Sequence, residues 1–74
     1  AGERFAPASG QGYDKTDVDA LMDRIAGYFD SDTTLTSSEV RGAVFRRARG
    51  NKAYGEPSVD RYLARVVEVL LSVE

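Results

Sequence analysis

The chain has 74 residues and a mass of 8.1 kDa, and its formal net charge is −2 at pH 7 with 30% charged residues. It contains no His, Cys or Trp. This composition excludes the usual zinc and copper sites, iron–sulfur ligation, cysteine nucleophiles, Ser–His catalysis and disulfides. We therefore expect a small globular domain with no cofactor, no metal site and no enzymatic activity. No apolar run approaches the ~20 residues that a membrane-spanning helix needs.

The charges are distributed unevenly along the chain. Residues 1–34 carry seven acids against three bases, whereas residues 35–74 carry seven bases against five acids. Five of the bases lie between positions 41 and 52, with no acid among them. This basic cluster is either a solvated helix face or a contact surface for an anionic membrane or an acidic partner. Its central members are Arg46, Arg47, Arg49 and Lys52.

The first predicted helix follows an irregular, turn-rich lead-in over residues 1–12. From position 15 to about 30, apolar residues recur at three- and four-residue spacing and form one stripe. The stripe contains Val18, Leu21, Met22, Ile25, Tyr28 and Phe29. Asp14 is placed to cap the start of this helix.

Two further helices are predicted near 36–49 and 57–72. Thr36 to Glu39 reads as a capping box, in which Thr36 accepts from the third helical amide, and Leu35 with Val40 forms a hydrophobic staple. Pro57 is favourable in the first turn of the last helix. Because no segment shows a strand pattern, the sequence predicts an all-α, compact three-helix domain.

The chain also repeats itself. Tyr13, Val18 and Asp19 are followed 41 residues later by Tyr54, Val59 and Asp60. This offset predicts a single domain spanning residues 1–74, with one copy of the repeat over 5–30 and a second over 35–73. We interpret each tyrosine as a half-buried residue whose hydroxyl reaches solvent or a backbone group, and each aspartate as a favourable first-turn residue.

These residues resemble a known family. The string GYDKTDVDALMDRI at residues 12–25, LTSSEV at 35–40 and YGEPSVDRYLARV at 54–66 are similar to the DivIVA-like bacterial cell-division domain, in its short tandem-repeat form. In the second copy, Ala53-Tyr54-Gly55 stands where the family has Gly-Tyr-Asp.

The resemblance implies a non-catalytic protein–protein assembly module. Family members act in the cytoplasm at division sites or poles, dimerise, and touch the inner face of the membrane through the loop before the Gly-Tyr-Asp turn. That loop corresponds here to Arg49 and Lys52, with Arg46 and Arg47 just upstream. The implied partner is another protein or a second copy of this chain, with no small-molecule substrate.

Two alternatives remain open at this stage. Two copies in one chain could pair with each other as a monomer; in a homodimer, Val59, Val66, Leu70 and Val73 would form the interface. The competing function is a small three-helix nucleic-acid-binding module. A pI of about 5.0, with no aromatic residue at 46–53, makes this function the less favoured one.

Overall fold

The computed structural model describes residue 5, residues 8–30 and residues 34–74, so much of the predicted lead-in lies outside the described residues. The described part contains three α-helices, one 3₁₀ turn and a small sheet. In chain order these are β1 (Gln11–Asp14), α1 (Lys15–Asp30), α2 (Ser37–Arg41), β2 (Arg47–Arg49), the 3₁₀ turn (Gly50–Lys52), β3 (Ala53–Tyr54) and α3 (Glu56–Val73).

The all-α prediction is wrong, because a three-stranded antiparallel sheet joins the two halves of the chain. Its strand order is β2-β1-β3, and Tyr13 of β1 lies opposite Tyr54 of β3. On the other side of β1, Gly12 lies opposite Ala48. The strands are only two to four residues long and lack alternating apolar residues. They form through pairing between distant segments, which local patterns do not reveal.

The predicted second helix over 36–49 is also wrong in length, since α2 ends at Arg41. The amide of Gly42 closes it by donating to the carbonyl of Ser38 at 2.9 Å. The chain then takes a non-helical path through residues 43–46 into β2. Pairing with β1 satisfies the backbone groups of β2 that a longer helix would have satisfied internally.

The start of α2 confirms the Thr36 half of the predicted capping box but not the return bond expected from Glu39. Thr36 is the N-cap, and its hydroxyl accepts from the amide of Glu39 at 3.2 Å. Leu35 and Val40 are buried in the same apolar cluster, as expected for a hydrophobic staple. The Glu39 side chain does not reach back to the cap; it pairs with Arg24 of α1.

The two long helices agree closely with their predicted ranges, and Asp14 caps α1 by accepting from the amide of Asp17 at 3.2 Å. Val18 and Val59 share one apolar cluster, while Ile25 and Val66 share the other. Each pair is separated by the repeat offset, so equivalent positions of α1 and α3 meet in the same cluster. The core therefore lies between the two copies of the repeat.

Candidate interaction surface

The two copies of the repeat exchange hydrogen bonds at their junction. The Tyr13 hydroxyl donates to a carboxylate oxygen of Asp60 at 2.7 Å. The Tyr54 hydroxyl donates to a carboxylate oxygen of Asp19, also at 2.7 Å. Each tyrosine therefore binds the aspartate of the other copy, rather than solvent or a backbone group as the sequence suggested. Asp19 and Asp60 are each the fifth residue of their helix, so they lie just beyond the first turn in which the sequence predicted them, and they act as acceptors that hold the halves together.

The aromatic rings at the junction follow the same exchange. The Phe5 ring contacts the Tyr54 ring with their centroids 5.2 Å apart, and the Phe45 ring contacts the Tyr13 ring at 5.1 Å. Each phenylalanine thus packs on the tyrosine of the opposite copy. Tyr13 and Tyr54 accordingly have equivalent partners, as the internal repeat predicts, although Tyr54 is buried and Tyr13 only partly so.

The junction also changes the acidity of one tyrosine. The hydrogen bond to the Asp60 carboxylate, together with partial burial, raises the pKa of Tyr13 to about 12. A nearby carboxylate disfavours the phenolate, because ionisation would place two negative charges side by side. Tyr13 therefore acts as a neutral hydrogen-bond donor, which is a structural role.

Half of the predicted basic contact set is used within the chain. The guanidinium of Arg46 donates twice to the Asp17 carboxylate, at 3.0 Å in each case, and the Arg46 amide donates to it at 2.9 Å. These bonds lower the pKa of Asp17 and raise that of Arg46. Arg47 forms an ion pair with Glu56 at the start of α3.

Arg49 and Lys52, the remaining members of that set, lie at the edge of the sheet. Both side chains are exposed, and no ion pair joins either one to another described residue. Gly50 lies between them with a φ of 59°, and its amide donates to the carbonyl of Gly10 at 3.0 Å. The end of β2 and the turn after it therefore present two cations on the surface that have no ion-pair partner among the described residues.

The predicted oligomer interface is mostly inside the molecule. Val66 and Leu70 are buried in the cluster that α1 and α2 share, Val59 is buried against Val18 and Tyr54, and of this set only Val73 is exposed. The apolar pattern of α3 does not show what covers it, because its partner α1 comes from a distant part of the same chain. Three of its four residues are therefore unavailable to a second molecule.

A different set of apolar side chains is exposed. Phe29 at the end of α1, and Tyr62 with Val69 on α3, have exposed fractions of 55%, 39% and 46%. Val44 and Leu71 are exposed elsewhere. In the sequence these residues follow the same helical spacing as the core residues. Only their positions at the edges of the apolar stripes set them apart from residues that are buried. They are candidates for contact with another protein.

A groove of about 450 Å³ lies between α2 and α3. Val40, Phe45, Leu63 and Val67 contribute apolar wall, and Asp60 contributes a carboxylate. That carboxylate already accepts the Tyr13 hydroxyl, and Arg41 and Arg47 also line the groove, so it combines apolar wall with charged groups.

Within the described residues, no group of three or more acidic side chains is arranged to hold a metal ion. None of the helices described combines the length and the apolar character needed to cross a bilayer. The chain matches no family model, no curated protein and no solved structure. A functional proposal therefore rests on the contacts, burial and charges of the described residues.

Proposed function

We propose that this chain is a non-catalytic protein–protein assembly module of the DivIVA-like kind, connected with bacterial cell division or envelope growth. It works in the cytoplasm, at the inner face of the membrane. The observation that supports this proposal is the reciprocal pairing of Tyr13 with Asp60 and Tyr54 with Asp19. These motif residues carry the resemblance to the family, and they serve to join two copies of one unit.

The bonding state of the motif residues favours assembly over catalysis. Both aspartates accept a tyrosine hydroxyl, and the raised pKa of Tyr13 disfavours its use as a base near neutral pH. The pairing within one chain favours a monomer that presents exposed apolar side chains to other proteins.

The role is tested by capture from a bacterial lysate, with the chain immobilised and captured proteins identified by mass spectrometry. A Leu70→Asp chain, whose core cannot pack around a buried carboxylate, is the unfolded control. We expect proteins of cell division or envelope growth to be enriched on the native chain over the control. Enrichment limited to nucleic acids and their binding proteins would refute the proposal.

The membrane contact is proposed to be electrostatic and weak. Arg49 and Lys52 are the cations of the loop that form no ion pair with another described residue, and each base near an anionic lipid surface contributes about 1 kcal/mol. The chain should float with phosphatidylglycerol vesicles at low salt and remain unbound with phosphatidylcholine vesicles.

The matched control for this contact keeps the total charge constant. Arg49→Glu/Lys52→Glu should abolish flotation, whereas Arg41→Glu/Arg61→Glu, which makes the same charge change at other exposed positions, should preserve most of it. Equal loss in both variants would show a response to net charge alone and no loop contact.

A further inference from the structure

The short helix α2 occupies a defined seat on the two long helices. Leu35 and Val40 are buried in the cluster that contains Ile25 of α1 and Leu70 of α3. Arg24 of α1 fixes the polar side of the seat, because its guanidinium donates to the Glu39 carboxylate at 2.5 Å and to the carbonyl of Thr34 at 3.0 Å. The seat combines an apolar floor with one arginine.

The internal repeat generates a second, equivalent seat. The first seat uses one face of α1 and one face of α3. Because the repeat relates positions 41 residues apart, each α1 position of the first seat has an equivalent on α3, and each α3 position has an equivalent on α1. The positions equivalent to Leu63, Val67 and Leu70 are Met22, Ala26 and Phe29 on α1. The positions equivalent to Leu21, Arg24 and Tyr28 are Tyr62, Arg65 and Val69 on α3. Ile25 and Val66 exchange with each other and form the shared floor.

Exposure distinguishes the two seats. Leu70 is 0% exposed beneath α2, whereas its equivalent Phe29 is among the most exposed apolar residues of the chain. Tyr62 and Val69 are exposed as well, while their equivalents Leu21 and Tyr28 are partly buried and pack against the core. The Phe5 ring contacts the Tyr62 ring with their centroids 5.6 Å apart, but within residue 5, residues 8–30 and residues 34–74 no second short helix covers this face.

The second seat also repeats the charge of the first. Arg65 is the equivalent of Arg24, and it is exposed, with no ion pair to any other described residue. Because Tyr62, Arg65 and Val69 lie at three- and four-residue spacing, they share one face of α3. The face therefore offers apolar surface beside a cation without a partner.

We propose that this second seat, formed by Phe29 and Ala26 of α1 with Tyr62, Arg65 and Val69 of α3, binds a short amphipathic helix of a partner protein. The occupant has the pattern of residues 35–40: an apolar residue, a Ser or Thr cap, a Glu at the third helical position and an apolar residue after it. Its carboxylate pairs with Arg65 as Glu39 pairs with Arg24. The proposal rests on the assembly role and specifies the partner's chemistry.

The probe is a capped peptide with the sequence of residues 34–43, TLTSSEVRGA, titrated into the isotope-labelled full chain. We expect saturable shifts of the amides of Phe29, Tyr62, Arg65 and Val69. A Val69→Asp chain should lose more than about tenfold in affinity, because a carboxylate would be buried against the peptide's apolar face. Leu71→Asp changes an equally exposed side chain on the opposite face of α3 and should bind like the wild type.

A charge exchange tests the polar contact. Arg65→Glu should weaken binding of the peptide about fivefold, and a peptide carrying Glu39→Arg should recover most of the loss on that variant alone. Equal binding of both peptides to both chains would overturn the assignment of Arg65.

Three other results would overturn the proposal. The first is the absence of saturable shifts. The second is shifts centred on Ser37 and Glu74, because the peptide would then be displacing α2 from its own seat. The third is concentration-dependent shifts of the same amides without peptide, which would make a second copy the occupant. If the peptide binds but lysate capture yields no division protein, the binding seat is supported and the proposed function is refuted. If division proteins are captured but the peptide does not bind, the proposed function is supported and the binding seat is refuted.

Discussion

At the scale of single residues, the most informative contacts are the two tyrosine–aspartate hydrogen bonds. They have the same length but different surroundings, since Tyr54 is buried whereas the bond of Tyr13 is exposed to solvent. Water competes with an exposed hydrogen bond more effectively than with a buried one. The two symmetric contacts should therefore contribute unequally to stability.

Removing each hydroxyl measures this difference. Tyr54→Phe should lower the free energy of unfolding by about 1.5 kcal/mol, because it leaves the partly buried Asp19 without one of its donors. Tyr13→Phe should cost less than about 1 kcal/mol. Urea denaturation of both variants provides the measurement, and a larger loss for Tyr13→Phe would contradict the expected order.

The pKa of Tyr13 predicts a loss of stability in alkali. The pKa rises from 10.0 to about 12 on folding, because the Asp60 carboxylate disfavours the phenolate. The unfolded chain therefore ionises first, and the contribution of Tyr13 is fully present below pH 10 and is lost as pH rises from 10 to about 12. Denaturation over this interval should show a smaller decline for Tyr13→Phe than for the wild type. Parallel declines would exclude the contribution.

At the scale of elements, the sheet depends on a close approach between two backbones. A Cβ atom at Gly12 would lie 2.2 Å from the carbonyl oxygen of Tyr54, and a backbone atom cannot move aside as a flexible side chain can. This contact explains why β1 requires glycine at the position where it passes β3. The sequence showed Gly12 only as a turn residue.

Gly12→Ala should therefore separate β1 from β3 and destabilise the chain by about 1–3 kcal/mol or more. Gly10→Ala is the matched control, because its Cβ would meet no atom within 4 Å and its φ is not positive. The control should change stability by less than about 1 kcal/mol. Thermal denaturation compares them, and equal melting temperatures would mean that the strands are not closely paired.

At the scale of the whole molecule, the two halves share their core and should unfold together. Leu70 of the second copy is fully buried in the cluster that contains Ile25 of the first. Leu70→Ala should cost about 2–5 kcal/mol and lower the hydrogen-exchange protection of α1 as much as that of α3.

Leu71 provides the control for this cooperativity. It is adjacent to Leu70 but 47% exposed, so Leu71→Ala should change stability by only about 0.5 kcal/mol. Loss of protection confined to α3 in the Leu70→Ala chain would show that the halves unfold independently.

The sequence by itself determined the two long helices, the Asp14 and Thr36 caps, and the correspondence between Tyr13 and Tyr54. Each of these rests on apolar periodicity, on hydrogen bonds between residues close in the chain, or on direct comparison of two segments. The candidate seat beside α3 was not predictable in this way, because Phe29 and Val69 read as ordinary members of core stripes.

Only the tertiary structure decided how the two copies meet. The sheet, the early end of α2 and the burial of Val59, Val66 and Leu70 depend on partners about 40 residues away, and so does the exchange of hydroxyl donors. A local pattern states which face of a segment is apolar, but the segment that covers this face is chosen by long-range packing. Here the other copy of the repeat, in the same chain, provides that cover.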